Sequence, residues 1–300
     1  MRTRAKAWVS AARPRTLTLA VAGILLGILL AAAEGRFDLR VASLTIWTAV
    51  LLQILSNLAN DYGDSVHGAD GVQRIGPARA VGSGSISAER MRLAMVVTGL
   101  LAAASGLVLV LVALGETLAV LLLFAALGLL AIWAAIAYTA GRMPYGYAGL
   151  GDLAVLVFFG WLSVAGAYYL QAVRLPALLL LPASTVGLFS VAVLNLNNLR
   201  DADSDRLSGK RTVAVRLGWR RARFYHGGLL VSGFALAVLY VALTSSSPWA
   251  WIFLLTVPAL AHNALAVWRR PAEELDPLLG QMSLTTLLFS LTLGFGQLFS

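Results

Sequence analysis

The chain has 300 residues, of which 59% are hydrophobic and 12% charged, and its formal net charge is +9. Because a typical soluble domain is about 25% charged, this composition excludes a soluble globular protein and leaves no folded polar face for binding nucleic acid. The absence of cysteine excludes disulfides and thiolate metal sites, and three scattered histidines do not favour a histidine-based metal site.

Apolar runs of about 20 residues, long enough to cross a hydrocarbon core, recur along the whole chain. Hydropathy predicts nine transmembrane helices, at residues 17–33, 39–58, 90–114, 117–138, 150–172, 176–199, 224–244, 248–268 and 282–299. No small-residue cleavage site follows the basic N-terminal residues, so we interpret the first run as a retained span rather than a signal peptide. The predicted fold is all-α, a single membrane-embedded domain over residues 1–300.

The distribution of Lys and Arg between the loops predicts the orientation. If the N-terminus is cytoplasmic, 20 of the 23 basic residues lie on the cytoplasmic side, and only Arg36, Arg40 and Arg174 lie on the other. The positive-inside rule therefore predicts a cytoplasmic N-terminus. Two cytoplasmic loops, 59–89 and 200–223, are long, and each begins with an Asn-rich helix end. This similarity indicates two repeated halves, roughly 1–140 and 141–300.

Asn and Asp residues spaced four apart occur at the start of both long loops. The first cluster contains Asn57, Asn60, Asp61, Asp64 and Asp70, followed by Arg74 and Arg79. The second contains Asn197, Asp201 and Asp205, followed by Lys210 and Arg211. Because residues four apart share one face of a helix, each cluster directs amide and carboxylate oxygens towards one point.

Two facing sets of oxygen ligands favour a site for a diphosphate bridged by Mg²⁺. This ion is usually held by one or two carboxylates together with substrate phosphates. The basic residues after each cluster would bind the non-bridging oxygens. The alternative is that Asn and Asp only cap helices and end the spans at the water interface. Six of the 14 acidic residues lie in these two stretches, which favours the functional interpretation; they are Asp61, Asp64, Asp70, Asp201, Asp203 and Asp205.

Several stretches resemble the UbiA superfamily of intramembrane prenyltransferases, and the resemblance covers essentially the whole chain. They are residues 12–17, 53–70, 74–80, 144–152 and 197–218. The superfamily's first motif is commonly Asn-x-x-x-Asp-x-x-x-Asp, whereas here Gly68 stands four residues after Asp64, and Asp70 follows. This departure resembles the naphthoate branch and leaves open whether Asp61 or Asp70 supplies the third carboxylate. The second motif matches without a gap.

The resemblance implies nine helices around a central cavity, with the two long loops forming a cytoplasmic cap. It implies Mg²⁺ as the cofactor and, as substrates, a polyprenyl diphosphate and 1,4-dihydroxy-2-naphthoate, which with loss of diphosphate and carbon dioxide would give demethylmenaquinone. It also implies the cytoplasmic (inner) membrane of a bacterium, an active site that faces the cytoplasm and no obligate protein partner.

Within this interpretation, the catalytic carboxylates that hold the leaving diphosphate through Mg²⁺ are Asp64, Asp201 and Asp205. The predicted metal ligands are these three aspartates with Asn60 and Asn197, completed by Asp61 or Asp70. No nucleophilic side chain is required, because stabilising charge on the leaving group is the main catalytic effect.

Further side chains near the same loops are candidates for binding the substrates. Asp152 would orient the acceptor or assist its deprotonation, or it is a simple charge at a helix N-terminus. Arg13 and Arg142 would contact the acceptor carboxylate or the diphosphate, or they are topology signals and lipid-head anchors. Tyr138 and Tyr147 would stabilise a carbocation with their ring faces, or they belong to an interfacial aromatic belt.

Two alternative functions stay open at this point. A membrane transporter also has similar halves and polar groups at broken helix ends, but transporter sites tend towards the bilayer midplane, whereas both clusters fall at cytoplasmic span ends. A prenyltransferase with another acceptor, such as a hydroxybenzoate or a sugar, would have the same diphosphate site.

Overall fold

The computed structural model describes residues 2–67, 76, 79–115, 117–141 and 144–300, and in these residues the regular structure is helical. The α-helices are α1 (Arg2–Ala12), α2 (Pro14–Ala33), α3 (Leu39–Val66), α4 (Ala88–Leu114), α5 (Leu118–Ala137), α6 (Gly151–Val155), α7 (Ser163–Ala172), α8 (Leu180–Arg200), α9 (Ala202–Leu207), α10 (Val213–Leu217), α11 (Trp219–Thr244), α12 (Val257–Arg269) and α13 (Asp276–Leu298). A π-helix (Leu156–Leu162) joins α6 to α7, and short 3₁₀ segments occupy Ala177–Leu179, Pro248–Thr256 and Ala272–Glu274.

Nine helices within the described residues are long and apolar enough to cross a membrane, which confirms the predicted number of spans. The spans are Ala5–Ala33, Leu39–Val66, Ala88–Leu114, Leu118–Ala137, Gly151–Ala172, Ala177–Arg200, Trp219–Thr244, Pro248–Arg269 and Asp276–Leu298. The second span continues eight residues beyond its predicted end at residue 58, because its Asn- and Asp-rich turns stay helical as they leave the apolar region. The last span begins six residues before its predicted start at residue 282, with Pro277 in the first turn, where proline is tolerated.

The helices pack around a core in which α2 and α8 are central. Helix α2 lies along α13 and α7, α3 lies along α4, and α8 lies along α11 and the π-helix. Glycines allow close approach at these contacts: a Cβ at Gly160 would lie 2.7 Å from the Cα of Gly187, and a Cβ at Gly27 would lie 2.3 Å from the Val164 carbonyl oxygen. Small residues have this role between membrane helices generally.

Helix α5 is at the periphery of the bundle. Only Ala134 is buried among its 20 residues, and large apolar side chains such as Leu122 and Leu129 are exposed. Exposed leucine is compatible with lipid as the solvent, because no hydrophobic force drives such side chains inwards. This burial pattern fits the multi-pass membrane architecture that the composition predicts.

Ion pairs and hydrogen bonds connect the helices at the end of the bundle opposite the two motifs. The Glu34 carboxylate, which follows α2, accepts hydrogen bonds from the Tyr168 hydroxyl and the Arg174 guanidinium. Asp38 caps α3 by accepting from the backbone N–H groups of Arg40 and Val41. The hydrogen bond from the Arg40 side chain lowers the pKa of Asp38 to about 2. These contacts fix the connection between the first two spans.

Candidate functional site

A central cavity of about 370 Å³ extends from the two motifs into the apolar interior. Its apolar walls come from six of the spans and include Ile24, Leu52, Ala131, Phe158, Val193 and Leu279. Its polar end is lined by Asn60, Asp64, Arg79, Asn197, Asp201, Asp205 and Lys210. This volume is in the range of small-molecule sites, and the arrangement suits a ligand with a charged head and an apolar tail.

The first motif directs Asn60 and Asp64 into the cavity from one face of α3, as the spacing of four residues predicts. The Thr139 hydroxyl donates a hydrogen bond of 2.9 Å to the Asn60 side-chain oxygen. Thr139 itself is buried just after α5. The contact between α3 and this turn is close, because a Cβ at Gly63 would lie 2.5 Å from the Thr139 carbonyl oxygen. The orientation of the Asn60 amide is therefore fixed by the neighbouring helix end.

Among the described residues, three side chains from separate parts of the chain donate to the Asp64 carboxylate, which is almost fully buried. Arg79 Nη2 lies 2.6 Å from Asp64 Oδ2, and Lys210 Nζ lies 2.8 Å from Asp64 Oδ1. The Tyr147 hydroxyl also donates to Oδ1, at 2.9 Å. Lys210 Nζ lies 3.7 Å from Asp205 as well, so its ammonium group lies between the two motifs. The two predicted clusters thus meet at one place.

The second motif crosses a break between two helices. Helix α8 ends at Arg200, Asp201 has φ −96° and ψ 8°, and α9 begins at Ala202. The backbone N–H of Asp201 still donates to Asn197, and that of Asp205 donates to Asp201, at 3.1 and 2.8 Å. The helical spacing of four residues therefore continues across the break. The side chains of Asn197, Asp201 and Asp205 all line the cavity.

Asp61 has a different position from the other predicted metal ligands. Its two carboxylate oxygens each accept a backbone N–H, from Ala80 and Val81, at 2.9 Å. The side chain is buried and does not line the cavity. Its carboxylate therefore ties the end of the first long loop to α3. The competing candidate for the third carboxylate, Asp70, lies outside the described residues.

Tyrosines line one side of the polar end. Tyr138 and Tyr147 both face the cavity, and Tyr138 packs edge-to-face on Tyr145 with ring centroids 5.4 Å apart. Burial raises the pKa of Tyr138 above its usual range, reinforced by the Asp152 carboxylate, and burial raises the pKa of Tyr145 to about 12. The phenols of Tyr138 and Tyr145 therefore stay neutral, and a neutral aromatic ring that lines the cavity attracts a cation.

Of the remaining predicted site residues, some line the cavity and others do not. Arg13 lines the cavity from a left-handed backbone conformation (φ 49°) between α1 and α2. Asn57 also lines it, but its amide donates to Ala12 O and to the Thr16 hydroxyl. Asp152 does not line it and accepts a hydrogen bond of 2.8 Å from Tyr225. Arg211 is exposed at the surface.

The predicted diphosphate-binding residues Arg74 and Arg142 lie outside the described residues. Sequence reasoning assigned no role to Arg200, although its guanidinium is buried against Asn197 and Asp201. Its position directly before Asp201 was the feature of the sequence that could have indicated a role. An arginine at the end of a span is also what the positive-inside rule alone predicts, so its position did not single it out.

The donor set at the polar end suits a magnesium ion that is shared with a diphosphate. The cavity presents carboxylate oxygens from Asp64, Asp201 and Asp205 and amide oxygens from Asn60 and Asn197. Among the described residues, no three Asp, Glu or His side chains form a cluster able to hold a metal ion by themselves. Mg²⁺ does not need such a cage, because waters and substrate phosphates usually complete its coordination.

Comparisons with known proteins agree with these observations. The pattern of the UbiA prenyltransferase family matches residues 20–287. The chain is 51% identical to a 1,4-dihydroxy-2-naphthoate octaprenyltransferase of Escherichia coli, over 92% of this chain and 88% of the relative. It is 45% identical to the protein of that name from Haemophilus influenzae, over 98% and 96% of the two chains.

Solved structures share the fold. An apo UbiA homologue from Aeropyrum pernix superposes with a TM-score of 0.69 at 18% identity, covering 95% of this chain and 97% of that one. A UbiA homologue from Archaeoglobus fulgidus, bound to GPP and Mg²⁺, gives 0.65 at 14% identity, covering 98% and 100%. The match over most of the sequence and the shared helical architecture lead to one conclusion: the chain belongs to the UbiA prenyltransferase family.

Proposed function

We propose that the protein transfers a polyprenyl group from a polyprenyl diphosphate to 1,4-dihydroxy-2-naphthoate. The observation that carries this proposal is the meeting of Asp64 and Asp205 across the Lys210 ammonium group, at the polar end of an apolar cavity. Carboxylates beside a lysine and an arginine suit a metal-bridged diphosphate head, and the apolar walls suit a polyprenyl tail. The acceptor comes from the relatives, which carry the name of this activity.

We propose Asn60, Asp64, Asn197, Asp201 and Asp205 as the residues that hold Mg²⁺ together with the diphosphate. When bound, the metal would neutralise the negative charge that develops on the departing diphosphate. Arg79 and Lys210 would donate to oxygens of the same group, because charge-assisted hydrogen bonds to phosphate are strong. The rings of Tyr138 and Tyr147 would face the positive charge on the prenyl fragment.

The chemistry consists of breaking one C–O bond and forming one C–C bond. The C–O bond of the prenyl diphosphate breaks, and both electrons leave with the diphosphate. A carbon of the electron-rich dihydroxynaphthoate ring then supplies the electron pair for the new bond to the allylic cation. Loss of a ring proton, and exchange of the carboxylate for a proton with release of carbon dioxide, give demethylmenaquinone at the quinol oxidation level. The apolar walls would keep water from the cation.

The direct test combines purified protein, Mg²⁺ and a polyprenyl diphosphate with either dihydroxynaphthoate or 4-hydroxybenzoate. We expect a prenylated, decarboxylated naphthol and no prenylated benzoate, measured by mass spectrometry. Prenylation of the benzoate alone would refute the proposed acceptor, and no product from either would refute the activity.

Substitutions test the site independently of the acceptor. Asp64→Ala and Asp201→Ala should each reduce turnover by more than about 100-fold, since each removes a carboxylate from the polar end. Asp203→Ala is the matched control in the same stretch, because the Asp203 side chain is 96% exposed and outside the cavity. Equal activity in all three variants would contradict the proposed diphosphate site.

A further inference from the structure

The guanidinium of Arg200 is buried and donates hydrogen bonds to two side chains of the second motif. Its Nε and Nη2 atoms donate to the two oxygens of Asp201, at 2.9 and 2.8 Å. Nη2 also donates to the Asn197 side-chain oxygen at 2.8 Å. The arginine side chain is only 3% exposed, and it does not line the cavity. One side chain therefore fixes the orientation of two oxygen donors of the proposed metal site.

Asp276 holds Arg200 in turn. This aspartate is the first residue of α13, and its Oδ1 accepts from Arg200 Nη1. Its Oδ2 accepts from Arg15 on α2, at 2.9 Å, but that arginine side chain is 70% exposed. The backbone of the first cap loop approaches the same guanidinium, since a Cβ at Gly76 would lie 2.6 Å from Arg200 Nη2. Parts of the chain distant in sequence therefore converge on Arg200.

We propose that Arg200 is a positioning residue for the metal-bound diphosphate and that Asp276 keeps it in place. A planar guanidinium bound to both carboxylate oxygens fixes the plane of the carboxylate, which a single point charge does not do. Groups that hydrogen-bond to metal ligands typically change metal affinity or activity by about 10–100-fold when they are removed. This inference rests on the proposed function, and it assigns Arg200 and Asp276 to the support of that site.

Arg200 also has an electrostatic effect on metal affinity, and it is opposite in direction to the effect of positioning. Its positive charge lies beside Asp201 and repels a metal ion at the same carboxylate. If this repulsion dominated, removing the guanidinium would tighten metal binding. If positioning dominates, its removal weakens metal binding, even though the local charge becomes more negative. The direction of the change in metal affinity therefore separates the two effects.

The principal test is Asp276→Asn, measured as Mn²⁺ binding in the presence of an unreactive thio analogue of a prenyl diphosphate. Electron paramagnetic resonance of free Mn²⁺ gives the affinity without any turnover. We expect at least about a tenfold weakening, because Arg200 loses its anchoring carboxylate and is free to reorient. Unchanged affinity would overturn the proposal. Wild-type turnover is measured separately, so a failure of the proposed activity is distinguishable from a failure of this inference.

Two variants serve as matched controls. Arg15→Gln removes the exposed partner of the same Asp276 carboxylate, and such exposed ion pairs contribute little. Arg174→Gln removes an arginine that pairs with a carboxylate between two helices at the opposite end of the bundle. Both should bind Mn²⁺ within about twofold of the wild type. A weakening in Arg174→Gln equal to that in Asp276→Asn would show a general loss of packing and overturn the proposal.

Arg200 itself is tested with Arg200→Lys and Arg200→Gln. Lysine keeps the charge but not the planar fork, so we expect both variants to weaken Mn²⁺ binding. Tighter binding in Arg200→Gln would overturn the positioning role in favour of charge repulsion. Should neither variant fold in detergent, as judged by thermal unfolding, unchanged Mn²⁺ affinity in Asp276→Asn still overturns the proposal.

Discussion

Tyr147 makes two different contacts in the polar end of the cavity. Its hydroxyl donates to Asp64 Oδ1, and its ring lies 4.6 Å below the Lys210 ammonium group. The hydroxyl and the ring therefore hold the two members of one buried ion pair. Because hydrogen bonds to charged groups are worth about 1.5–3 kcal/mol, we expect removal of the hydroxyl alone to have a measurable effect on activity.

The first prediction separates the hydroxyl from the ring. Tyr147→Phe should lower kcat/KM by about 10–100-fold, the equivalent of that hydrogen-bond energy, while leaving the cation–ring contact in place. Tyr145→Phe is the control, since its hydroxyl donates to the Ala134 backbone carbonyl rather than to a motif side chain. An unchanged kcat/KM in Tyr147→Phe would show that the hydroxyl does not orient Asp64.

Asp61 shows how two neighbouring carboxylates on one helix acquire different roles. Asp64 faces the cavity, whereas Asp61 accepts the backbone N–H groups of Ala80 and Val81 with both oxygens. An asparagine at position 61 would supply one acceptor and place an NH₂ group against the other N–H donor. The loop after the first motif would then lose a buried hydrogen bond.

The second prediction is that Asp61→Asn lowers the free energy of unfolding by about 1–3 kcal/mol and leaves Mn²⁺ affinity unchanged. Thermal unfolding in detergent and Mn²⁺ titration measure the two quantities. Asp203→Asn, a fully exposed change, provides the baseline. Weaker Mn²⁺ binding with unaltered stability would instead identify Asp61 as the ligand that completes the first motif.

At the scale of elements, the π-helix Leu156–Leu162 shapes one cavity wall. It places Phe158, Phe159 and Leu162 in the wall while Gly160 contacts α8 on its other side. A π-helix within an α-helical span changes which side chains face a given direction, and such segments often occur at functional sites. The glycine permits this geometry because α8 occupies the space of any larger side chain.

The third prediction compares two glycines in this span. At Gly160 an added Cβ would lie 2.6 Å from the Ala183 carbonyl oxygen, whereas at Gly166 the nearest atom would be 3.9 Å away. Gly160→Ala should therefore destabilise the protein by about 1–3 kcal/mol through overpacking. Gly166→Ala should be neutral or stabilising, since alanine favours helix by about 1 kcal/mol. Equal thermal stability of the two variants would contradict the close helix contact.

The helices were predictable from the sequence to different degrees. Membrane thickness sets the length of every span, so the nine apolar runs were sufficient to predict their number. The end of α3 was not predictable in this way, because residues 59–66 are helical although they leave the apolar region. The spacing of four residues predicted the shared face of Asn60 and Asp64. It did not predict the helix break at Asp201, which local hydrogen bonds bridge.

The sequence predicted that the two clusters face one another, but it did not predict the individual contacts between distant parts of the chain. Asp276 lies 76 positions after Arg200, and Lys210 lies 146 positions after Asp64. Neither pair forms a motif, and no helical period connects their members. The tertiary packing alone brings them together. The predicted ligand role of Asp61 followed from its place in the cluster, but the cluster does not reveal which face of α3 is turned to the cavity.

At the scale of the whole molecule, the charge distribution predicts how the protein lies in the membrane. The sequence contains no cysteine, so single cysteines report on sidedness without a background. Phe37 and Leu207 are suitable positions, because both side chains are exposed and they belong to opposite ends of the bundle.

The fourth prediction concerns labelling with a membrane-impermeant maleimide. In right-side-out vesicles, Phe37→Cys should be labelled and Leu207→Cys protected, and inside-out vesicles should show the reverse. The reason is that the positive-inside rule predicts a cytoplasmic position for the basic loops. Labelling of Leu207→Cys in right-side-out vesicles would reverse the predicted orientation and place the motifs on the outer face.

The contact between α2 and α13 has a consequence for biosynthesis. Helix α2 carries Arg15 and Thr18, α13 carries Asp276 and Ser283, and hydrogen bonds of 2.9 Å and 2.7 Å join these residues. The ribosome synthesises both aspartate motifs before it synthesises α13. During synthesis, Arg200 therefore has no Asp276 to bind until the final span enters the membrane. A chain arrested before residue 276 would contain every predicted metal ligand and still lack the carboxylate that binds Arg200.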